Sequence, residues 1–328
     1  MKKSLIALAV AGALTAPMVA QADATLYGKL EAVLQAKEDK DVDLFMDDVI
    51  FGLKGSSETS VEGLTAIYKM EVELNEGAGP EALGDDSENS SITTRYAYVG
   101  ATGAFGTVLA GRVANPTDVV EGYGDVSNKA GNFFGNPDRL GSTLAYMSPS
   151  FSGFDFYVAG IMDGKVSGDG TNGDDVDGYT LGANYMAGPL SLSVGYWEME
   201  GTYVNGYDAG ASDGDLSNIL VGGSYAFGPL TVGLAYEGLE DDSVDSDLYG
   251  ISAVYEAGAV APYIMYNQLD SDNSQNEGDE WALGLNYALG KKASVGVEYS
   301  SVDYDKNDAE TGADRDYDQF NVSYTVKF

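Results

Sequence analysis

The sequence predicts an all-β fold, a transmembrane up-and-down antiparallel β-barrel of about sixteen strands that residues 23–328 form as a single domain. Three observations predict it. Segments of about ten residues alternate apolar and polar side chains, which suits a tilted strand crossing a membrane. The connections between these segments are short and long in turn. The apolar faces often end in Tyr or Trp, as at a membrane interface.

The first segment, residues 1–22, has the composition of a secretory signal peptide. Lys2 and Lys3 precede an apolar stretch, and Ala20-Gln21-Ala22 supplies a small-residue cleavage site. A membrane anchor is the alternative, but the apolar part is shorter than the roughly 20 residues that a spanning helix needs. We therefore expect export and cleavage, which removes two lysines and changes the formal charge from −35 to −37.

Later segments show a clear alternation of side chains, and the four clearest are named by their apolar members. These are Leu190, Leu192, Val194 and Tyr196; Leu230, Val232, Leu234 and Tyr236; Trp281, Leu283, Leu285 and Tyr287; and Val295, Val297 and Tyr299. The residues between them are small or polar, so we expect one face in lipid and one in water. A soluble sandwich would also alternate, but it does not require an asymmetry between its connections.

The connections fall into two classes that alternate along the chain. The short ones are Ser56–Ser60, Thr102–Gly106, Pro149–Gly153, Ala187–Pro189, Ala226–Pro229, Ala257–Ala259 and Gly290–Lys292. The long ones are Glu38–Leu44, Asn75–Ser90, Ala114–Asp138, Asp163–Asp177, Glu200–Asp215, Glu240–Asp247, Asp270–Asp279 and Asp303–Asp316. The pattern predicts short periplasmic turns, long acidic external loops and both termini on the turn side.

The composition excludes several classes of site. The chain has neither Cys nor His, so disulfides, most catalytic dyads and triads, and common zinc sites cannot form. Carboxylate pairs, Ser-Lys pairs and oxygen-ligated metals remain, and we expect no enzyme, no metal and no cofactor. The acidic stretch 169–175 lacks the terminal Glu of a calcium loop, which favours a solvated loop. Strong acidity argues against nucleic acid as a partner.

Three stretches and the last residue carry a family resemblance. The stretches are Ala24–Leu30, then Arg95–Gly100 continuing through Phe105–Val108 to Arg112, then Arg139–Ser142 continuing through Tyr146–Pro149 to Phe151–Phe154. Their order, with the terminal Phe328, resembles the Gram-negative general porin family. The resemblance implies a homotrimer of water-filled barrels in the outer membrane that passes ions and small hydrophilic solutes by passive diffusion. It further implies contact with outer-membrane lipid and lipopolysaccharide, and a Phe328 that the barrel insertion machinery reads.

The resemblance also implies that the third external loop folds into the lumen, where its acidic residues face a basic wall. The corresponding segment runs from Arg112 to Arg139 and is the longest stretch between adjacent strands. Some relatives carry a Pro-Glu-Phe-Gly element in this loop. The nearest feature here is the stretch Phe133–Pro137, in which Phe133-Phe134-Gly135-Asn136-Pro137 departs from that pattern.

Alternation assigns faces to the strands on either side of this loop. In the third strand it turns Lys69, Glu71 and Glu73 to the lumen. In the fourth and sixth it turns Arg95 and Arg139 inward, and it places Ile92, Tyr96, Tyr98, Leu140, Leu144 and Tyr146 outside. The candidate basic wall is therefore Arg95, Arg139, Arg112 and Lys69, and the candidate loop acids are Asp118, Glu121 and Asp125. The alternative is that these are ordinary salt-bridge partners in an acidic protein.

Net acidity predicts a preference for cations, although exposed charge is screened over about 10 Å in 0.1 M salt, so the charges at the narrowest section should decide. A solute-specific channel is the closest alternative. It would carry lumen aromatics or many cations, and the assigned lumen sets contain few of either. A non-conducting adhesin or structural barrel is a third possibility, which the small and polar inner face disfavours.

Overall fold

The computed structural model describes residues 23–75, 91–131, 133–162, 176–200, 215–240, 245–272, 277–305 and 315–328. They contain sixteen strands. The strands are β1 Asp23–Lys37, β2 Asp43–Glu58, β3 Leu64–Asn75, β4 Ser91–Gly103, β5 Gly106–Ala114, β6 Arg139–Met147, β7 Phe154–Ile161, β8 Gly178–Ala187, β9 Leu190–Glu200, β10 Asp215–Phe227, β11 Leu230–Glu240, β12 Asp245–Tyr255, β13 Val260–Ser271, β14 Gly278–Ala288, β15 Ala293–Tyr304 and β16 Tyr317–Lys327. The predicted signal peptide and the stretch 169–175 lie outside the described residues.

The strands form one closed barrel, because each is antiparallel to its neighbour in sequence and β1 pairs with β16. The predicted fold class and strand number are confirmed. At the seam, the Phe328 N–H donates to the Gly28 carbonyl at 3.1 Å, and the Gly28 N–H donates to the Phe328 carbonyl at 3.2 Å. The Phe328 ring lies over Gly28 and contacts the Phe51 ring, with centroids 5.9 Å apart. The last residue thus completes the closure.

Short and long connections alternate as the sequence predicts, with one displacement. The first turn occupies residues 59–63, not Ser56–Ser60, because β2 continues to Glu58 and pairs there with Thr65. Gly63 has a φ of 76° and nothing within 4 Å of a Cβ, so it supplies the left-handed turn position.

Two short helices lie between β5 and β6: a 3₁₀ helix, Pro116–Val119, and α1, Glu121–Gly124. The Asn115 side chain caps the first by accepting from the Thr117 N–H. In the described part of the chain, no helix has the length and apolar character that crossing a membrane requires.

Bulges change the predicted faces of two strands. The β3–β4 register shifts between Glu71 and Val72, which leaves Arg95 without a partner on β3. Side chains of β4 after Arg95 therefore point to the face opposite to the one that simple alternation predicts. Val99 is 65% exposed, whereas Tyr98 packs on a buried cluster and Tyr96 contacts Lys69. The prediction that Tyr96 and Tyr98 face outward is therefore wrong.

The second irregularity lies between β5 and β6, where the register shifts between Gly111 and Val113. Ser142 adopts a φ of 49° at this point. As a result Leu140 is buried on the inside, at 3% exposure, while Leu144 beyond the bulge faces outward. The outward prediction is wrong for Leu140 and holds for Leu144.

The inner face of β9–β12 differs from the expected small or polar lining. Several large apolar side chains there are buried, namely Trp197, Met199, Leu216, Leu220, Leu239 and Leu248. They form one cluster with Val120, Phe133 and Phe134, which belong to the segment between β5 and β6. The barrel therefore contains a true apolar core beneath this segment.

Candidate functional site: the constricted lumen

The segment between β5 and β6, residues 115–138, lies inside the barrel, and we call it the constriction loop. Its 3₁₀ helix contacts β8 and β9, and α1 contacts β10 to β13. Its tip, Asn128 and Lys129, contacts side chains of β13, β14, β15, β16, β1 and β2. Because the loop covers this part of the wall, the open part of the lumen lies beside β2–β6.

A hydrogen-bonded node holds the base of the loop. The Oδ1 atom of Asn136 accepts from Asn115 Nδ2 at 2.9 Å, Thr117 Oγ1 at 2.8 Å and Trp197 Nε1 at 3.0 Å. Phe133 and Phe134 enter the apolar core just before it. The stretch Phe133–Pro137 departs from the Pro-Glu-Phe-Gly pattern. It anchors to β9 the second half of the loop, which leads back to β6.

Three buried wall glutamates accept hydrogen bonds from the loop backbone. Glu298 on β15 accepts from the N–H groups of Asn128 at 2.6 Å and Lys129 at 2.9 Å. Glu280 on β14 accepts from Phe133 at 3.4 Å, and Glu237 on β11 accepts from Gly135 at 3.1 Å. These carboxylates satisfy N–H groups that have no strand partner.

The tip of the loop is bonded through both its backbone and its side chains. Asn128 Nδ2 donates to Tyr263 Oη at 2.8 Å and to Asn286 Oδ1 at 2.9 Å. Lys129 Nζ lies 3.3 Å from Glu31 Oε2 and donates to Asp47, while its carbonyl accepts from Gln319. The tip therefore bridges strands on opposite sides of the barrel seam.

The candidate basic wall is largely ion-paired. Arg95 Nε lies 3.0 Å from Glu71 and its Nη1 lies 2.7 Å from Glu73, while Lys69 lies 3.3 Å from Glu71. Arg139 Nη1 lies 3.0 Å from Asp138. The alternative interpretation from the sequence was that these residues are ordinary salt-bridge partners. That interpretation also fits Arg95, Lys69 and Arg139.

Tyr96 joins the cations of this wall. Lys69 Nζ lies 3.3 Å from the centre of its ring, and Arg139 Cζ lies 5.2 Å from it. Such contacts stabilise cations on the face of an aromatic ring. Arg112 differs, because it forms no ion pair within 4.0 Å among the described residues. Its buried Nε has no hydrogen-bond partner there, as is also true of the Arg139 Nε.

Two of the three candidate loop acids come together next to the wall. Carboxylate oxygens of Asp118, Glu121 and Asp138 lie within 4.8 Å of one another, beside Arg139. Burial and the neighbouring Asp138 raise the pKa of Asp118 to about 6. Asp138 was missed in the sequence, although its position next to Arg139 was the available signal.

Asp125 lies elsewhere. It accepts from the Ser127 N–H at 2.7 Å, and burial near Glu298 raises its pKa. The structure thus brings Asp118 and Glu121 to the basic wall and places Asp125 against β15. Sequence reasoning also missed Lys129 and the three loop-binding glutamates, because their partners are distant backbone groups that leave no local pattern.

Comparison with known proteins agrees with this geometry. A model of the Gram-negative porin family matches residues 7–325. The chain belongs to this family. The porin is 25% identical over 336 residues to the major outer membrane protein P.IB of Neisseria gonorrhoeae, covering 90% of this chain and 92% of that protein. It is also 23% identical over 325 residues to P.IB of Neisseria meningitidis serogroup B, covering 90% and 91%.

Two solved structures share its fold. The anion-selective porin from Comamonas acidovorans aligns with a TM-score of 0.74 at 19% identity, covering 94% of this chain and 100% of that one. OmpF of Salmonella typhi, in complex with daunomycin, aligns with a TM-score of 0.74 at 20% identity, covering 93% and 97%. This porin is an outer-membrane channel for passive diffusion, and its relatives are channels, not enzymes.

Proposed function

We propose that the protein is a non-specific, cation-preferring diffusion pore whose selectivity is set where the constriction loop meets the β3–β6 wall. The observation that supports this most is the loop itself, which lies inside the barrel with Asp118 and Glu121 beside Arg139. Arg95, Lys69 and Arg112 complete the wall. Charged groups at a narrow section control which ions pass.

Cation preference follows from the balance of charge at this section. The wall cations are matched by Glu71 and Glu73 on β3 and by Asp118, Glu121 and Asp138 on the loop. Because the local cations are offset, the formal charge of −37 on residues 23–328 favours entry of cations wherever it is not screened by salt.

The assembly and partners are proposed from relatives. OmpT of Vibrio cholerae, whose structure is described as a trimer form, aligns with a TM-score of 0.69 at 18% identity. We infer a homotrimer, embedded in outer-membrane lipid with lipopolysaccharide, with Phe328 as the insertion signal and with no enzymatic activity. The lack of His and Cys removes the usual catalytic groups.

A second candidate, a solute-specific channel, gains support from aromatic side chains on the inner face of the barrel. Tyr27, Tyr96 and Tyr98 lie on the inner side, and Tyr27 donates to Glu71 Oε2 at 2.6 Å. The lumen thus holds more aromatics than the sequence indicated. Such a channel would show conductance that saturates with one solute, whereas a non-specific pore would not.

The first experiment is the reversal potential of the purified protein in a planar bilayer under a KCl gradient. We expect a cation-selective potential and closure in thirds. Arg139→Gln should increase the ratio of K⁺ to Cl⁻ permeability several-fold, because it leaves Asp138 and the loop acids unopposed. Lys292→Gln, in the turn after β14, loses the same charge and should match the wild type. Anion selectivity of the wild type would overturn the charge assignment, and absence of conductance would overturn the pore.

A further inference from the structure

We propose that Lys129 is the positioning residue of the constriction, an ion-pair latch that fixes the loop tip to the β1–β2 wall and so sets the free cross-section. The proposal rests on the diffusion-pore function above. It assigns to this lysine a role that neither its place in the sequence nor the resemblance to relatives indicates.

The contacts of Lys129 leave its side chain little freedom. It is 12% exposed and reaches Glu31, which is 6% exposed, and Asp47. Its N–H donates to Glu298 Oε1 at 2.9 Å, and its carbonyl accepts from Gln319 Nε2. One residue of the loop is thus bonded to β15, β16, β1 and β2.

Lys129 contacts a cluster of three carboxylates on β1 and β2, and the negative charge of this cluster needs nearby cations to balance it. Carboxylate oxygens of Glu31, Asp47 and Asp48 lie within 4.8 Å of one another. Lys29, on the wall itself, lies 2.9 Å from Glu31 and also pairs with Asp48. Like charges this close repel, most strongly at Glu31, which is the least exposed of the three, so one lysine offsets only part of the repulsion. Lys129 is the one Lys or Arg in the sequence of the constriction loop, residues 115–138.

The rest of the loop is held independently. The hydrogen bonds of Asn136 fix its base. Glu237 and Glu280 accept hydrogen bonds from backbone N–H groups in its second half, which leads back to β6. Asn128 holds the tip to β13 and β14. Loss of the latch therefore frees only the side of the tip next to β1 and β2. We expect the barrel to stay intact while the cross-section fluctuates as this side of the tip moves.

Single-channel recording in planar bilayers tests the latch. Lys129→Met should lose the single wild-type conductance level and show larger, fluctuating currents, while Lys129→Arg should keep that level. Lys40→Met, in the β1–β2 connection, removes the same charge outside the lumen and should behave as the wild type. The charge swap Lys129→Glu with Asp47→Lys should restore a steady level. If Lys129 only stabilised the fold, exchanging the charges of Lys129 and Asp47 would not restore the steady level.

Chemical rescue keeps the test clear of folding defects. Because the chain has no cysteine, Lys129→Cys introduces a unique thiol. Its thiolate displaces methanesulfinate from aminoethyl methanethiosulfonate and forms a disulfide that carries an ammonium group. This treatment should restore steady current, and neutral ethyl methanethiosulfonate should not. Steady wild-type current in untreated Lys129→Met and Lys129→Cys overturns the latch and leaves the pore standing. A silent wild type overturns the proposed function instead.

Discussion

Asp118 lies in the 3₁₀ helix of the constriction loop, where burial and Asp138 raise its pKa to about 6. Its ordinary value is 3.8, so the folded protein holds this proton more tightly than the unfolded chain does. Between those two values the contribution of Asp118 to stability falls as the pH rises. At neutral pH the group is ionised and belongs to the acid cluster of the lumen. Below pH 6 it becomes neutral.

This titration predicts a pH-dependent selectivity. Between about pH 7.5 and about pH 5 the preference for K⁺ should decrease, because Asp118 takes up a proton beside Arg139. Asp118→Asn should show the reduced preference at both values. Asp43→Asn, at the start of β2, removes a carboxylate away from the loop and should retain the wild-type change. Reversal potentials at the two pH values measure the effect, and an unchanged wild-type potential would contradict it.

At the scale of the elements, the sequence predicted the strands and their order well, because membrane strands and their connections follow a local rhythm. It predicted faces correctly on one side of each bulge and wrongly on the other: wrongly after Arg95 in β4 and wrongly before Ser142 in β6. A bulge adds one residue and reverses the alternation beyond it. The core beneath the loop left a fainter signal, since Tyr196 and Trp197 are adjacent apolar residues that break the alternation in β9.

The positions of the loop-binding glutamates could not be predicted, since their partners are backbone groups more than a hundred residues away. Glu298 illustrates the consequence. Replacing it by Ala should remove the acceptor of the Asn128 and Lys129 N–H groups, at a cost of about 1 kcal/mol for each hydrogen bond because both donors are within reach of water. Hydrogen exchange of those two amides should become faster, while β15 remains protected.

Glu58→Ala serves as the matched control for that exchange measurement. Glu58 is exposed at the end of β2, so its loss should leave the Asn128 and Lys129 amides as slow as in the wild type. If the amides of the Glu298 variant also exchange at the wild-type rate, the carboxylate does not hold the loop.

At the scale of the whole molecule, barrel closure depends on the contact between the two ends of the chain. A Cβ on Gly28 would lie 2.3 Å from Phe328 Cζ and 2.7 Å from the Ile50 carbonyl oxygen. Both neighbours belong to the seam or to β2, and the carbonyl is backbone that cannot move alone. The seam therefore requires a residue without a side chain at this position.

Gly28→Ala should consequently lower the free energy of unfolding of the barrel by about 1–3 kcal/mol and reduce the yield of folded protein. Gly290→Ala is the control, because a Cβ there would have nothing within 4 Å. Heat-modifiable gel mobility and thermal melting compare the two. Equal melting temperatures for both variants would show that the ring of Phe328 moves aside without cost.

The apolar core under the constriction loop also makes the barrel mechanically uneven. On the side of β9–β12 the wall is backed by close-packed side chains, which resist compression as a protein interior does. On the side of β2–β6 the inner face carries ion pairs around Arg95 and Arg139 and a smaller apolar cluster that includes Leu109 and Val113. We therefore expect the half that borders the open passage to deform more readily under lateral pressure from the bilayer than the half packed against the constriction loop.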